Sequence, residues 1–484
     1  MGLSNAWNVA TTSLATNAGL TSIVSRNIAN AQNSTGYVSA KVAHLVTGSS
    51  GSAVIQSIAD LTNASLFNSM LSSTSAKAAA QALSNGVAQL QQTVSDATST
   101  SDSTTAAASP SSLLQSLATA LQTYSSSPGS TSAASAVFSA AQNLTQGLNA
   151  ASATVQTVRE TADQDMVASV ATVKSLLSQF QQVNTAIVNG TATGADVTDA
   201  LDQRNTVLQS LSQQIGVTTA TASNNSMSIY TDSGVTLFDT IPRSVTMAAN
   251  TTYTASTTGA AVTIDGVPVT GANAIMPIQS GALAGLANLR DTVATQYQSQ
   301  LDSIAGGLIK DFAEAGSVPG LFITTTNSTS LPSSTSGLAS EITVSAVGGD
   351  LTSIRDGTIN SATSQNPTPL TPSAGFNTVI NSYMTKLATQ TFPSGSGLAS
   401  PNTVTGQAAD SASWLDAQYQ SASNNATYQT TLSSQASQAL SNATGVNIDQ
   451  QMSRMLDLEN SYQASAKLIS TINSMFNSLL QAVA

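Results

Sequence analysis

The chain has 484 residues, of which 8% are charged and 4% aromatic, and a formal charge of −11 from 24 acidic and 13 basic side chains. Soluble proteins commonly carry charge on about a quarter of their residues, so this surface must be solvated by hydroxyls and amides, and it has no basic footprint for nucleic acid or an anionic membrane. There is no cysteine, which excludes disulfides, thiolate metal sites and cysteine nucleophiles, and no window approaches the roughly 18 to 20 apolar residues of a membrane span.

Residues 1–32 lack proline and read as one helix, weakened at Gly19. Leu3, Ala10 and Val24 share one heptad position, and Trp7, Leu14 and Ile28 share another. Apolar residues spaced by seven form the seam of a coiled coil. Asn17 and Thr21 also fall at core positions, so the seam is poor and the helix marginal by itself. No Lys or Arg precedes Arg26 and no compact apolar run follows, which is not the pattern of a secretory leader. If the protein is exported, a route without a cleaved signal is expected. The missing cysteines suit such a chain, travelling unfolded, as well as they suit chance loss in a cytosolic one.

Thr35-Gly36-Tyr37 breaks the first helix, and Gly48 to Gly51 reads as a flexible joint. A second helical stretch is predicted over about 57–96, followed by a Ser/Thr-rich loop over 95–112. Helices follow at about 111–124, 131–189 and 196–215. The longest carries Met166, Val173, Phe180 and Ile187 in heptad spacing, as in a helical bundle with one polar face. From Val217 the period changes to two, and Asp265-Gly266 predicts a hairpin between Val262–Ile264 and Val267–Val269. Helix returns over about 281–315, and a strand is predicted at Ile342–Val344 within a mixed segment. The last helices are placed at about 376–390, 403–443 and 449–482. In the final one, Ile448, Met455, Tyr462, Ile469 and Phe476 recur every seven residues, with Leu458, Ile472 and Leu479 three positions after members of that series.

The expected fold is mainly α with a β insertion: a long helical bundle or coiled-coil rod formed by both termini, with a small β-rich outer domain. Residues 1–45 and 445–484 would form a terminal coiled-coil domain, and 46–216, 281–317 and 376–444 a helical rod. Residues 217–280 would be the inserted β-domain and 318–375 a mixed, loop-rich segment. The economical arrangement pairs the first helix with the last at one pole and sets the insertion at the other.

Catalysis finds no foothold. The one histidine, His44, lies in an apolar run with no zinc-ligand spacing around it. There is no Walker A motif, Gly-x-Ser-x-Gly elbow or Ser-x-x-Lys pair. Asp196, Asp199 and Asp202 recur on one helical face and are expected to be solvated or paired with Arg204 rather than to bind metal. No enzyme activity, cofactor or metal is expected.

Three segments carry a family resemblance. Asn27-Ile28-Ala29-Asn30 followed by Thr35-Gly36-Tyr37 resembles the N-terminal signature of bacterial flagellar rod, hook and hook-associated proteins. Thr444-Gly445-Val446-Asn447-Ile448-Asp449, continued by Leu458-Glu459-Asn460-Ser461-Tyr462-Gln463-Ala464-Ser465-Ala466-Lys467, resembles the C-terminus of hook-associated proteins. Leu201-Asp202-Gln203-Arg204-Asn205, with Leu208, Leu211 and Ile215-Gly216-Val217, is similar to an internal segment of the hook-associated protein 1 (FlgK) family, the first hook–filament junction proteins. Ser39, before Lys41, is a small departure from the family pattern.

The resemblance implies a structural subunit of the extracellular flagellum, exported by the flagellar type III route and polymerised at the hook–filament junction. Implied partners are further copies of itself, the hook protein, the second junction protein and an export chaperone on the C-terminal helix. The apolar heptad residues at both ends would form the assembly interface, with Asn27, Asn30, Gly36 and Tyr37 ending the first helix and shaping the contact there. The ends are expected to be disordered in the free subunit and to fold on assembly. Rival readings are another axial protein (the second junction protein or flagellin), which residues 27–37 argue against, and a secreted adhesin or glycan-binding module.

Overall fold

A computed structural model describes residues 2–31, 38–48, 51–95, 109–315, 317–326, 329–346, 350–366 and 373–483. The chain opens with α1 (Gly2–Ala31) and an antiparallel hairpin of β1 (Lys41–Thr47) and β2 (Ala53–Asp60). The bundle follows: α2 (Ala64–Gln91), α3 (Pro110–Ser126), α4 (Thr131–Thr193) and α5 (Thr198–Gln214). Asn63, Ser109 and Ser130 cap α2, α3 and α4 through their side-chain oxygens, and Pro110 occupies the first turn of α3, where its missing N–H costs nothing. Gly194 ends α4 with φ of 71°, a left-handed conformation that glycine adopts without strain.

The α4 helix is the spine. Its 63 residues span about 95 Å at roughly 1.5 Å per residue. Val137, Leu144, Leu148, Val155, Met166, Val173, Phe180 and Ile187 form a fully buried stripe along it, covered in turn by α3, α7, α2 and α5. The predicted heptad in this helix is therefore core.

The insertion forms two small antiparallel sheets. The first has four strands in sequence order: β3 (Val217–Thr221), β4 (Met227–Thr231), β5 (Thr236–Asp239) and β6 (Ile241–Pro242). The second has three: β7 (Val245–Thr246), β8 (Thr263–Ile264) and β9 (Val267–Pro268). Asp265 and Gly266 make the predicted hairpin turn, with φ of 49° and 81°, the paired positive values that a tight two-residue hairpin requires. Pro242 and Pro268 sit in β6 and β9, each the last strand of its sheet, and a proline there removes a donor from the free edge.

Helix resumes as α6 (Ala282–Asn288), a π-helical turn at Leu289–Val293, and α7 (Ala294–Asp311). Thereafter come β10 (Phe322–Thr324), α8 (Leu338–Glu341), β11 (Ile342–Val344), α9 (Thr352–Asp356), α10 (Thr378–Thr389), β12 (Thr391–Phe392), β13 (Asn402–Thr403), α11 (Val404–Thr444) and α12 (Ile448–Val483). The sparse acids hold irregular segments to this frame. The Asp302 carboxylate accepts from the backbone N–H groups of Gly337 and Ala339, and that of Glu314 from Ile359, Asn360 and Ser361. Charge-assisted bonds of this kind are stronger than neutral ones.

Three expectations are corrected. Residues 57–60 belong to β2 rather than to a helix; the expected flexible joint at Gly48–Gly51 falls between β1 and β2, and its Ser49 and Ser50 lie outside the described residues. Helix begins at Pro110 within the predicted loop over 95–112, whose residues 96–108 lie outside the described residues. The insertion is not at the far pole: the Met227 N–H donates to Asn184 and the Asn225 amide to Thr191, which places the first hairpin against the C-terminal part of α4. The other end of α4 is closed by α3, α9 and α10, where Arg355 reaches the Pro128 carbonyl and Ser125 bonds Asn381.

Candidate functional site

The ends of the chain meet. α1 and α12 pack as an antiparallel pair, in which Asn27 bonds Gln451, Asn17 bonds Ser461 at 2.8 Å and Ser13 bonds Ser465. On α1 the buried seam includes Ala10, Asn17 and Val24, at the predicted heptad spacing. On α12 it is Gln451, Leu458, Ser465 and Ile472, again every seventh residue. This is the position three residues beyond the leading predicted series. Met455 and Ile469 of that series are half-buried, while Ile448, Tyr462 and Phe476 are exposed, as is Leu479. Leu3, Trp7, Leu14, Ile28 and Asn30 are half-buried, and Gly36 and Tyr37 lie outside the described residues.

One helix covers one stripe of its partner, and the apolar arc of α12 is wider than that. Met452, Leu456, Leu468, Met475 and Leu480 are also exposed, the last at 68%. Beside the pair, the hairpin adds exposed Leu45 and Val46. Exposed apolar side chains concentrated on one helix, on both sides of its covered stripe, suit an interaction site.

Beneath the pair lies a polar joint to the rod. Asn27, at 1% exposure, clasps the backbone of Lys41: its amide donates to the carbonyl and its oxygen accepts from the N–H, both at 2.9 Å. The Lys41 ammonium, fully buried, donates to Asp202 at 2.8 Å and to Asp60, and forms a 3.3 Å ion pair with Asp199. Asp202 also accepts from the N–H and hydroxyl of Ser39. Towards solvent, Arg26 pairs with Asp196 and Asp199. Two backbone bonds complete the joint, from the Ala40 N–H to the Thr444 carbonyl and from the Leu61 N–H to the Ala40 carbonyl.

The electrostatics follow from this packing. Burial, reinforced by the nearby Asp202 charge, pushes the Asp60 carboxyl up to about 6 against the pull of Lys41. Burial acts to lower Lys41, yet its bonds to Asp202 and the neighbouring carboxylates hold it above its ordinary value. Asp196 and Asp199 lie below the usual range, because the hydrogen bonds from Arg26 outweigh their partial desolvation.

The expected pairing of these aspartates with Arg204 is thus corrected. Arg26 and Lys41 take them, while Arg204 donates to the Asn225 carbonyl and is lowered to about 10 by burial. Sequence reasoning missed Arg26, Lys41 and Asp60 as partners because they lie far in sequence from the aspartates they meet. The one available signal was the mismatch of three aspartates with a single nearby arginine. Among the described residues no group of three or more His, Cys, Asp or Glu is arranged to hold a metal, and no helix is long and apolar enough to cross a membrane.

Comparison with known proteins fits this arrangement. Residues 99–317, from before α3 to beyond α7, match the model of the flagellar hook-associated protein FlgK helical domain. Residues 436–482, the end of α11 and nearly all of α12, match that of the flagellar basal body rod FlgEFG protein C-terminal. Among solved structures, the fold is similar to the flagellar hook junction protein FlgK from Burkholderia pseudomallei, at 15% identity and a TM-score of 0.56, over 77% of this chain and 99% of that one. No curated protein sequence matches the chain.

Proposed function

The chain belongs to the FlgK family of flagellar hook-associated proteins, and we propose that it polymerises at the hook–filament junction through the open face of its terminal helix pair. The observation that carries this reading is the exposed apolar arc of α12, which α1 covers only along one stripe. Ile448, Tyr462, Phe476 and Leu479 of the expected interface lie on the uncovered part. Further copies of the same helices supply the missing cover, by heterologous contacts that build a helical layer rather than a closed dimer.

In this reading residues 1–45 and 445–484 pack into an inner tube, and the rod (46–216, 281–317 and 376–444) contacts lateral neighbours. Residues 217–280 face outward. The layer joins hook components below to the second junction protein and filament above, in the extracellular part of the flagellum. An export chaperone on α12 would shield its apolar face before assembly. The role is structural rather than catalytic. Polar contacts such as Asn17–Ser461 and Ser13–Ser465 select register at some expense of stability, so the pair is consolidated by its neighbours.

The test is a triple substitution on the uncovered face, Leu456→Ser, Leu479→Ser and Leu480→Ser. The rod should keep its helical circular dichroism while polymerisation and junction assembly are lost. A triple variant that assembles like the parent would sink the proposal.

A further inference from the structure

The terminal unit, α1 with the hairpin and α12, connects to the rod through two crossings of the chain, Leu61 to Asn63 between β2 and α2, and Gly445 to Asn447 between α11 and α12. Both are tied to one residue. Ala40 accepts from the Leu61 N–H and donates to the Thr444 carbonyl, so the crossings meet beside the Lys41 ammonium. There the charged contacts divide into two kinds. Lys41 is fully buried, and its shortest bond, to Asp202 on α5, joins the hairpin to the rod out of reach of solvent. Arg26 is 31% exposed and its partners, Asp196 just before α5 and Asp199 on it, 33% and 74%. Exposed pairs are screened by salt and buried ones much less.

We infer that the joint is a hinge, with Lys41 as its buried pivot and Arg26 as a releasable stay, so that the terminal helix pair can change its angle on the rod without the connection unfolding. Asp199, which touches both cations, passes from the shared contact to Lys41 alone when Arg26 lets go. Asn27 keeps the end of α1 on the pivot throughout, since its two bonds go to the Lys41 backbone. The device belongs to the single chain. Its use, adapting one subunit to a bending neighbour on one side and a stiffer one on the other, rests on the junction reading above.

The chain has no cysteine, so two can be introduced and labelled cleanly. Exposed Thr47 on the hairpin and Thr185 on α4 are suitable sites. Spin-label distance distributions on the full chain, kept dilute, would be compared at about 0.01 M and about 1 M salt, where the screening length is roughly 30 and 3 Å. The parent should broaden at high salt, and Arg26→Gln should be broad already at low salt with its salt response lost. Lys41→Met should lose hydrogen-exchange protection at the Ala40 and Leu61 amides while α4 keeps its own. Asp202→Asn, which removes the charge and keeps the shape, serves should Lys41→Met not fold. A parent distribution unmoved by salt, or Arg26→Gln indistinguishable from the parent, overturns the stay. Unchanged protection of Ala40 and Leu61 in the pivot variants overturns the pivot. Both readouts are local to the joint, so they are decided separately from polymerisation.

Discussion

Asp311, the last residue of α7, is fully buried, and neither carboxylate oxygen has a hydrogen-bond partner among the described residues. Burial pushes its pKa from 3.8 up to about 7, against the pull of the Lys386 charge. Each tenfold change in proton affinity corresponds to about 1.4 kcal/mol. The charged form therefore costs the fold on the order of 4 kcal/mol above pH 7. Because the folded-state value is raised, the folded chain holds the proton more tightly than the unfolded one. Stability is fully present below about 4 and is lost as pH rises through about 7. Asp311→Asn removes the charge but leaves a buried amide whose unmet bonds cost about 1–3 kcal/mol. The variant should thus gain roughly 1–3 kcal/mol at alkaline pH and gain nothing, or lose slightly, in mild acid. Urea midpoints of parent and variant near pH 4.5 and pH 8, with amide exchange read over α7 and α10, measure this. A parent whose midpoint is the same at both pH values, with a variant weaker at both, would refute the reasoning.

Asp60, raised to about 6, titrates with the same sign, so Asp60→Asn should flatten the pH dependence of joint protection between about pH 4 and 6; an unchanged profile would show that another group titrates there. Arg290, on the π turn, is fully buried against Asp163, and Arg290→Met leaves that carboxylate without a counter-charge, held only by the Asn250 N–H and the Tyr253 hydroxyl. A loss of about 3–5 kcal/mol is expected in denaturant titration, and a loss under about 1 kcal/mol would place the pair among the dispensable ones. Asn17→Leu should raise the melting temperature of the α1–α12 pair while relaxing its register, visible as a spread of cross-link positions opposite Ser461. A single retained register would mean that Asn17 does not specify it.

The elements most legible in the sequence were those with one strong local signal. The Ala10–Asn17–Val24 spacing of α1, the heptad of α4, the Asp265-Gly266 turn and the strand at Ile342–Val344 lie where their spacing puts them, while Trp7, Leu14 and Ile28 are only half-buried. The β1–β2 hairpin was not legible, because the register shift between His44 and Leu45 breaks the period-two pattern along β1. On α12 the apolar series beside the seam masked the seam itself, two of whose buried positions are Gln451 and Ser465. The joint was the least legible part. Lys41 and Asp202 are 161 residues apart in the chain, and no local pattern announces a contact of that separation. Asn27 was singled out for ending a helix, whereas its side chain holds the backbone of the next strand.

The prolines at the ends of the two small sheets bear on life in a crowd. If copies stack into a layer as proposed, they sit shoulder to shoulder, at an effective concentration no free solution reaches, and any bare strand would there be an invitation to zip into a neighbour. Pro242 and Pro268 withdraw that invitation on the last strand of each sheet. On the proposed arrangement, an insertion sealed in this way could drift in sequence without turning an ordered tube into an aggregate.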